Sequence, residues 1–239
     1  QKCDLVITPS EDMRRELQNY GITQEIDVIP TGVDAKFKST ETAVNFKKSK
    51  QIDLDTDIII YTGRIAKEKN IEFLLKVYKE VLKVRKNILF VIVGDGDYKK
   101  HIEKIAKDLR IYNKVRFTGY VSDKKELANW LNAARVFVFS SLTETQGLVV
   151  LEAMSVGTPV VAIGSRGVAD IISDNLGGFS CGEDVTEFAL ELMRLLASKT
   201  MRTKKSQEAK EKAKQMSMRN MAAKLLENYQ RLIDVATKV

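Results

Sequence analysis

Glu144 and Glu152 lie eight positions apart in the run Ser141-Leu-Thr-Glu-Thr-Gln-Gly-Leu-Val-Val-Leu-Glu-Ala-Met154. Just before them Val136-Phe-Val-Phe139 reads as a buried parallel strand, and after Gly147 the residues Leu148, Leu151 and Met154 recur at helical spacing. Glu144 therefore falls on a strand-to-helix loop and Glu152 inside the helix that follows. Gly147 lets the loop backbone come close to a ligand. The unpaired N–H groups of the helix's first turn favour an anion there. Two carboxylates beside an anion-binding helix start suit a ligand with both sugar hydroxyls and phosphates, which describes a nucleotide-sugar.

A second set of residues can neutralise the phosphates. Gly63-Arg64-Ile-Ala-Lys-Glu-Lys69 follows an apolar strand and precedes a helix. Gly63 permits a tight turn, while Arg64 and Lys69 can balance a diphosphate, Arg64 through a bidentate fork. Gly94-Asp-Gly96 also ends a strand, and invites a dinucleotide reading. Lys99 stands where that fingerprint needs its third glycine, so a tight turn lining a sugar-nucleotide cleft is the better assignment. Gly119-Tyr120-Val121 ends another strand. His101 lies several residues inside a lysine-rich helix and reads as a solvent-facing side chain, not a catalytic one. Trp130 reads as the core anchor of an amphipathic helix.

The elements that must position these groups alternate regularly. Strand-like runs at Ile58–Thr62, Ile88–Val93, Val115–Phe117, Val136–Phe139 and Pro159–Ile163 are separated by helical patterns from about Asn70, Asp97, Asp123, Leu148 and Asp170, with a longer helix over Asp184–Ser198. Such alternation predicts a Rossmann-like α/β unit, a parallel sheet with helices on both faces. Its ligand crevice should lie at the carboxyl ends of the strands, where every motif above falls. Residues 1–30 do not fit this unit and read as the end of an earlier domain, punctuated by Pro30-Thr-Gly-Val-Asp34. Residues 31–57 read as a linker, polar, lysine-rich and non-periodic over Ala35–Asp57, and therefore mobile. Residues 58–215 form the nucleotide-sugar-binding domain. A last amphipathic helix, within 216–239, carries Met221, Leu225, Leu226, Tyr229, Leu232 and Ile233.

Composition narrows the class. An apolar fraction of 44% is ordinary for a protein with a sizeable core. No apolar stretch reaches the roughly 20 residues needed to span a bilayer. The chain opens Gln-Lys-Cys-Asp without a signal peptide, which points to a fragment. Cys3 and Cys181 match no metal-ligand spacing and read as free thiols in a reducing cytosol. The net charge of +7 comes largely from lysines crowded into Lys36–Lys50 and Lys199–Lys214. A solvated surface explains it; attraction to anionic lipid headgroups at the inner face of a membrane is the sharper reading. No nucleic-acid-binding signature accompanies the charge.

Taken together, Glu144-x7-Glu152 with Ala153-Met154 and Gly157-Thr-Pro-Val-Val161 resembles the donor-binding signature of family 4 retaining glycosyltransferases of the GT-B fold. The match continues through Gly63-Arg64, Lys69, Gly94-Asp-Gly96 and Gly119-Tyr-Val121, in the family's order. Thr143-Glu-Thr-Gln-Gly-Leu-Val149 looks closest to the members that glycosylate diacylglycerol-type lipids. Gln146, where many members carry Phe, favours the same subgroup. The resemblance implies the C-terminal half of a GT-B fold, a remnant of the N-terminal acceptor domain, and a final helix that crosses back onto that domain. It further implies retaining transfer of a hexose from a UDP-sugar, with UDP-glucose the first candidate, to a lipid acceptor. No cofactor or metal is implied, because Arg64 and Lys69 stabilise the departing diphosphate. Glu152 is assigned to the ribose hydroxyls, Glu144 to the transferred sugar, and Tyr120 and Val121 to the base. Gln146, Gly147, Leu148 and Val149 would flank the donor's sugar and phosphates. With most of an acceptor domain absent, the chain alone is expected to be catalytically silent. Transfer to a saccharide acceptor, a UDP-sugar epimerase and a nucleotide-sugar-binding module without activity are the other readings.

Overall fold

Unbroken β-branched and aromatic runs such as Ile58-Ile-Ile-Tyr-Thr62 can be stable only if both faces are covered. The computed structural model, which describes residues 3–237, covers them. Strands β1 (Leu5–Thr8) and β2 (Glu25–Val28) flank helix α1 (Glu11–Asn19) and, among the described residues, form a separate two-stranded sheet. Helix α2 (Ala43–Ser49) leads to the main sheet: β3 (Asp57–Thr62), β4 (Ile88–Val93), β5 (Val115–Gly119), β6 (Val136–Phe139), β7 (Val160–Ile163) and β8 (Gly178–Cys181). Between them run α3 (Ile71–Val84), α4 (Lys99–Asp108), α5 (Lys124–Ala133), α6 (Leu148–Ser155) and α7 (Gly167–Ile172), with α8 (Val185–Ala197), α9 (Lys199–Gln215) and α10 (Met218–Ala236) following.

All six strands are parallel, in the order β5-β4-β3-β6-β7-β8. The chain winds outward from β3 in one direction, then returns to β6 and winds the other way. The reversal opens a crevice beyond the carboxyl ends of β3 and β6, the place where such sheets bind ligands. Ile58, Ile59, Ile60 and all of β6 are buried, so the crevice stands on a packed floor.

Three segments differ from the sequence expectation. Residues 35–57 are not a mobile connection. Thr42 caps α2 by accepting from Asn45 N–H, and Phe46 meets the Trp130 ring edge-on at 5.0 Å between centroids. Lys47 is buried, its ammonium donating to Leu54 O at 3.2 Å and Thr56 O at 2.7 Å. Burial, with help from the nearby Arg135 charge, pushes its pKa down. One aromatic on a seven-residue helix leaves no periodic trace; α5 supplies the packing that makes it stable. Strand β8 was not expected either, because Gly178-Phe-Ser-Cys181 lacks an apolar run. The lysine-rich segment 199–214 is the helix α9, whose buried residues are the alanines Ala209 and Ala213. Small side chains at i and i+4 let α9 approach so closely that a methyl group on Gly177 would lie 2.8 Å from the Ala209 Cα.

At the α9–α10 junction, Val33 N–H donates to Met216 O and Met218 N–H to Val33 O, both at 3.0 Å. α10 then runs along β2. Asn228 donates to Asp27 at 2.6 Å, and Arg231 grips Glu25 with two bonds of 2.8 Å. Its Met221 is buried, while Leu226, Tyr229, Ile233 and Val235 are exposed. No helix among the described residues is long and apolar enough to cross a membrane.

Candidate functional site

A cleft of about 380 Å³ lies over the crevice. Gly63, Arg64, Gly94, Tyr120, Val121, Val149 and Glu152 line it, bringing four distant motifs together. Gly96 stands behind the wall. A methyl group there would lie 2.2 Å from Ile65 O, and one on Gly94 would lie 1.9 Å from Gly63 O. These two glycines are thus required by loop-on-loop packing: Gly63 N–H donates to Val93 O at 3.0 Å and Ile65 N–H to Asp95 O at 2.9 Å.

The cleft also contains residues that the sequence did not single out. Thr62, Asp95 and Leu127 line it. The Thr62 hydroxyl is buried without a hydrogen-bond partner among the described residues, and nothing in a threonine that ends a strand announces this. Asp95 accepts from Gly96 N–H and Lys99, which hold its pKa below the usual carboxylate range. Tyr61, beneath the cleft, donates to Arg64 O at 3.0 Å and so ties down the loop that carries the guanidinium. Burial, and the charges of Glu144 and Glu68, push its pKa up and keep it a donor.

Glu152 projects from the second turn of α6. It is half-buried and makes no hydrogen bond or ion pair among the described residues; burial raises its pKa, opposed by the Lys124 charge. Such a carboxylate costs free energy until donors reach it, and it faces the cleft. At the start of α6, Gly147 takes the left-handed conformation (φ 75°) with no side-chain cap. The first-turn N–H groups of Leu148 and Val149 donate to no backbone partner among the described residues; the first intrahelical bond is Val150 N–H to Gly147 O at 2.9 Å.

The cations stand apart from this cleft or at its rim. Lys69 forms an ion pair with Glu144, each side chain about one-fifth exposed. The contact exists because the loop after β6 fastens the Lys69 turn. Ser140 Oγ donates to Lys69 O and Asn70 O at 2.9 Å, and Ser141 Oγ to Glu68 O at 3.3 Å. Arg64 pairs with Glu68, one turn along. The Gln146 side chain turns away, donating to Thr31 O at 2.5 Å. His101 is exposed and bonds Glu72 at 3.0 Å, away from the cleft. Among the described residues no cluster of three or more His, Cys, Asp or Glu is placed to hold a metal.

A parallel sheet reversing at β3/β6, with carboxylates and cations converging above that point, defines the C-terminal half of a GT-B glycosyltransferase. Comparison with known proteins agrees. Residues 44–216 match the family model of glycosyl transferases group 1, and residues 1–37 that of Glycosyltransferase Family 4. The chain belongs to the group 1 glycosyl transferase family. It is 37% identical over 180 residues to the alpha-monoglucosyldiacylglycerol synthase of Streptococcus pneumoniae, covering 73% of this chain and 41% of that protein. The chain spans less than half the length of the first curated relatives it matches. Among solved structures, sucrose-phosphate synthase from Thermosynechococcus elongatus superposes with a TM-score of 0.86 at 23% identity, over 98% of this chain and 59% of that one. Anabaena HepE, solved with UDP and glucose, superposes with a TM-score of 0.83 at 21% identity, over 95% and 63%.

Proposed function

We propose that this chain binds the donor in a retaining glycosyltransferase, one that moves a hexose, glucose first, from a UDP-sugar to a diacylglycerol-type lipid without a metal. The observation that carries the reading is Glu152: a half-buried carboxylate without a hydrogen-bond or ion-pair partner among the described residues, facing a cleft between open helix N–H groups and Arg64. A ribose diol supplies the two missing hydrogen bonds. The exposed Tyr120 and half-buried Val121 offer a surface and main-chain groups to the base. The likeness to a lipid glucosyltransferase supports a lipid acceptor, and HepE, which binds UDP and glucose, supports the donor.

In this reading the diphosphate replaces Glu68 as the partner of Arg64 and competes with Glu144 for Lys69. Glu144, once released, accepts from a hydroxyl of the transferred sugar. The bond from the anomeric carbon to the diphosphate oxygen breaks, and the acceptor oxygen bonds that carbon on the same face. The acceptor's proton passes to the leaving diphosphate, so charge and atoms balance. Arg64 and Lys69 stabilise the negative charge that develops on that group, the contribution a metal would otherwise make. A membrane-borne acceptor and the +7 charge support a peripheral position on the cytoplasmic face of the membrane.

The test is to incubate the protein carrying this chain with UDP-glucose and diacylglycerol vesicles in EDTA. An α-linked glucosyl lipid is expected. A β-linked product would remove retention from the reading; transfer to saccharides but never to lipid would remove the acceptor.

A further inference from the structure

Arg166 stands in a backbone conformation that side-chain-bearing residues avoid, with φ 47° and ψ −132°. Such conformations persist only where the surroundings impose them. On one side, its neighbours press on the loop that carries Glu144. Gly167 N–H donates to Glu144 O at 3.0 Å, and Ser165 Oγ donates to Leu142 O at 3.1 Å. A methyl group on Gly167 would lie 2.1 Å from Thr145 O, so the two loops touch backbone to backbone. On the other side, the Arg166 guanidinium reaches α1, at 3.2 Å from Glu16 and 3.6 Å from Asp12. Asp170, one turn along α7, accepts from Glu11 N–H at 2.7 Å.

We infer that Arg166 is a positioning residue for Glu144. Its ion pair with α1 holds the turn 164–167, and the backbone of that turn sets where the Glu144 carboxylate stands. The inference rests on the donor reading for its functional consequence. A glycine would adopt this backbone freely; what arginine adds is the tie to α1. That helix lies in the stretch matching a different family model from the main sheet. Placement of the N-terminal segment is thereby transmitted to the sugar end of the site. The nucleotide cleft, lined by Glu152 and Val121, includes no residue of the turn. The coupling therefore weakens contact with the transferred sugar without weakening the hold on UDP.

Hydrogen exchange read by mass spectrometry tests the loop with no ligand present. Arg166→Gly, and separately Asp12→Asn with Glu16→Gln, should speed exchange across residues 142–148 about tenfold and leave β3 and β4 unchanged. The second variant alters only charge on α1, so it guards against a folding defect at the turn. Swapping the charges, Glu16→Lys with Arg166→Glu, should restore protection, a rescue that a purely steric role would not give. In calorimetry the first two variants should bind UDP no more weakly than the unmodified chain, tightening by up to about fivefold where Lys69 is released from Glu144, and lose about tenfold toward UDP-glucose, with the swap recovering it. Unchanged exchange at 142–148 in both variants overturns the inference whatever the ligand. Faster exchange with undiminished UDP-glucose affinity overturns it equally. Failure of the unmodified chain to bind UDP or UDP-glucose strikes the donor reading instead, and the exchange result and its rescue then decide the Arg166 tie alone.

Discussion

The Lys69 ammonium is paired with the Glu144 carboxylate across 75 positions of sequence, joining the loop after β3 to the loop after β6. A cation proposed for the diphosphate and a carboxylate proposed for the sugar thus neutralise each other, both largely withdrawn from solvent. Ligand binding then means exchanging one partner for another, which lowers the cost of holding either charge without the donor.

Removing the carboxylate should therefore favour the nucleotide. Glu144→Gln leaves Lys69 without its counter-ion, and UDP should bind more tightly by about 1 kcal/mol, the scale of a partly exposed pair. The same variant should lose the extra affinity that the sugar confers and most of the turnover. Calorimetry with UDP and UDP-glucose separates the two effects, and weaker UDP binding would contradict the exchange of partners.

Metal independence is the outcome expected if Arg64 and Lys69 take the proposed role. Titration of UDP in EDTA should match titration in Mg²⁺. Arg64→Ala with Lys69→Ala should abolish binding, each cation contributing about 1.5–3 kcal/mol through charged hydrogen bonds. A strict requirement for Mg²⁺ would refute the role given to these residues.

Glu152 sets opposite demands on binding and stability. Burial raises its pKa, and the proposed contact with a ribose diol needs the ionised form. UDP affinity should fall with pH through a value above the ordinary glutamate range, and Glu152→Gln should flatten that dependence while costing about 1–3 kcal/mol of affinity. For folding the sign reverses. A carboxyl whose folded pKa lies above its unfolded one stabilises the chain below the unfolded value and loses that contribution as pH rises through the folded value. At pH 7 Glu152→Gln should therefore raise Tm by about 2–4 °C for each kcal/mol relieved. The gain should vanish in acid. Thermal melts at both pH values check it.

Phe46 makes residues 35–57 part of the core. Phe46→Ala removes the edge-on contact with Trp130 and should destabilise the chain by about 3–5 kcal/mol. Denaturation with urea would show it as a lower midpoint; a loss under 1 kcal/mol would mean that α2 is only loosely attached.

The parallel α/β fold was legible because its signals are local. Runs such as Ile88–Val93 must be buried on both faces, glycines mark the turns after them, and helical spacing fills the intervals. Gly63-Arg64, Gly119-Tyr-Val121 and the Glu144/Glu152 run could be placed at strand ends for the same reason. The role of Gly96 could not be judged in this way, since packing against Ile65 and contact with a ligand make the same demand on a glycine. Helix α2, strand β8 and helix α9 left no periodic trace, because Phe46, Phe179 and the alanines Ala209 and Ala213 are stabilised by partners far along the chain. The Lys69–Glu144 pair, the Tyr61 bond to Arg64 O, the unpartnered Thr62 hydroxyl and the tie from Arg166 to α1 belong to the same group. Spacing along a chain determines which face a side chain takes on its own helix or strand. Which charge, carbonyl or ring it meets depends on how separate elements are brought together, and only the tertiary structure decides that.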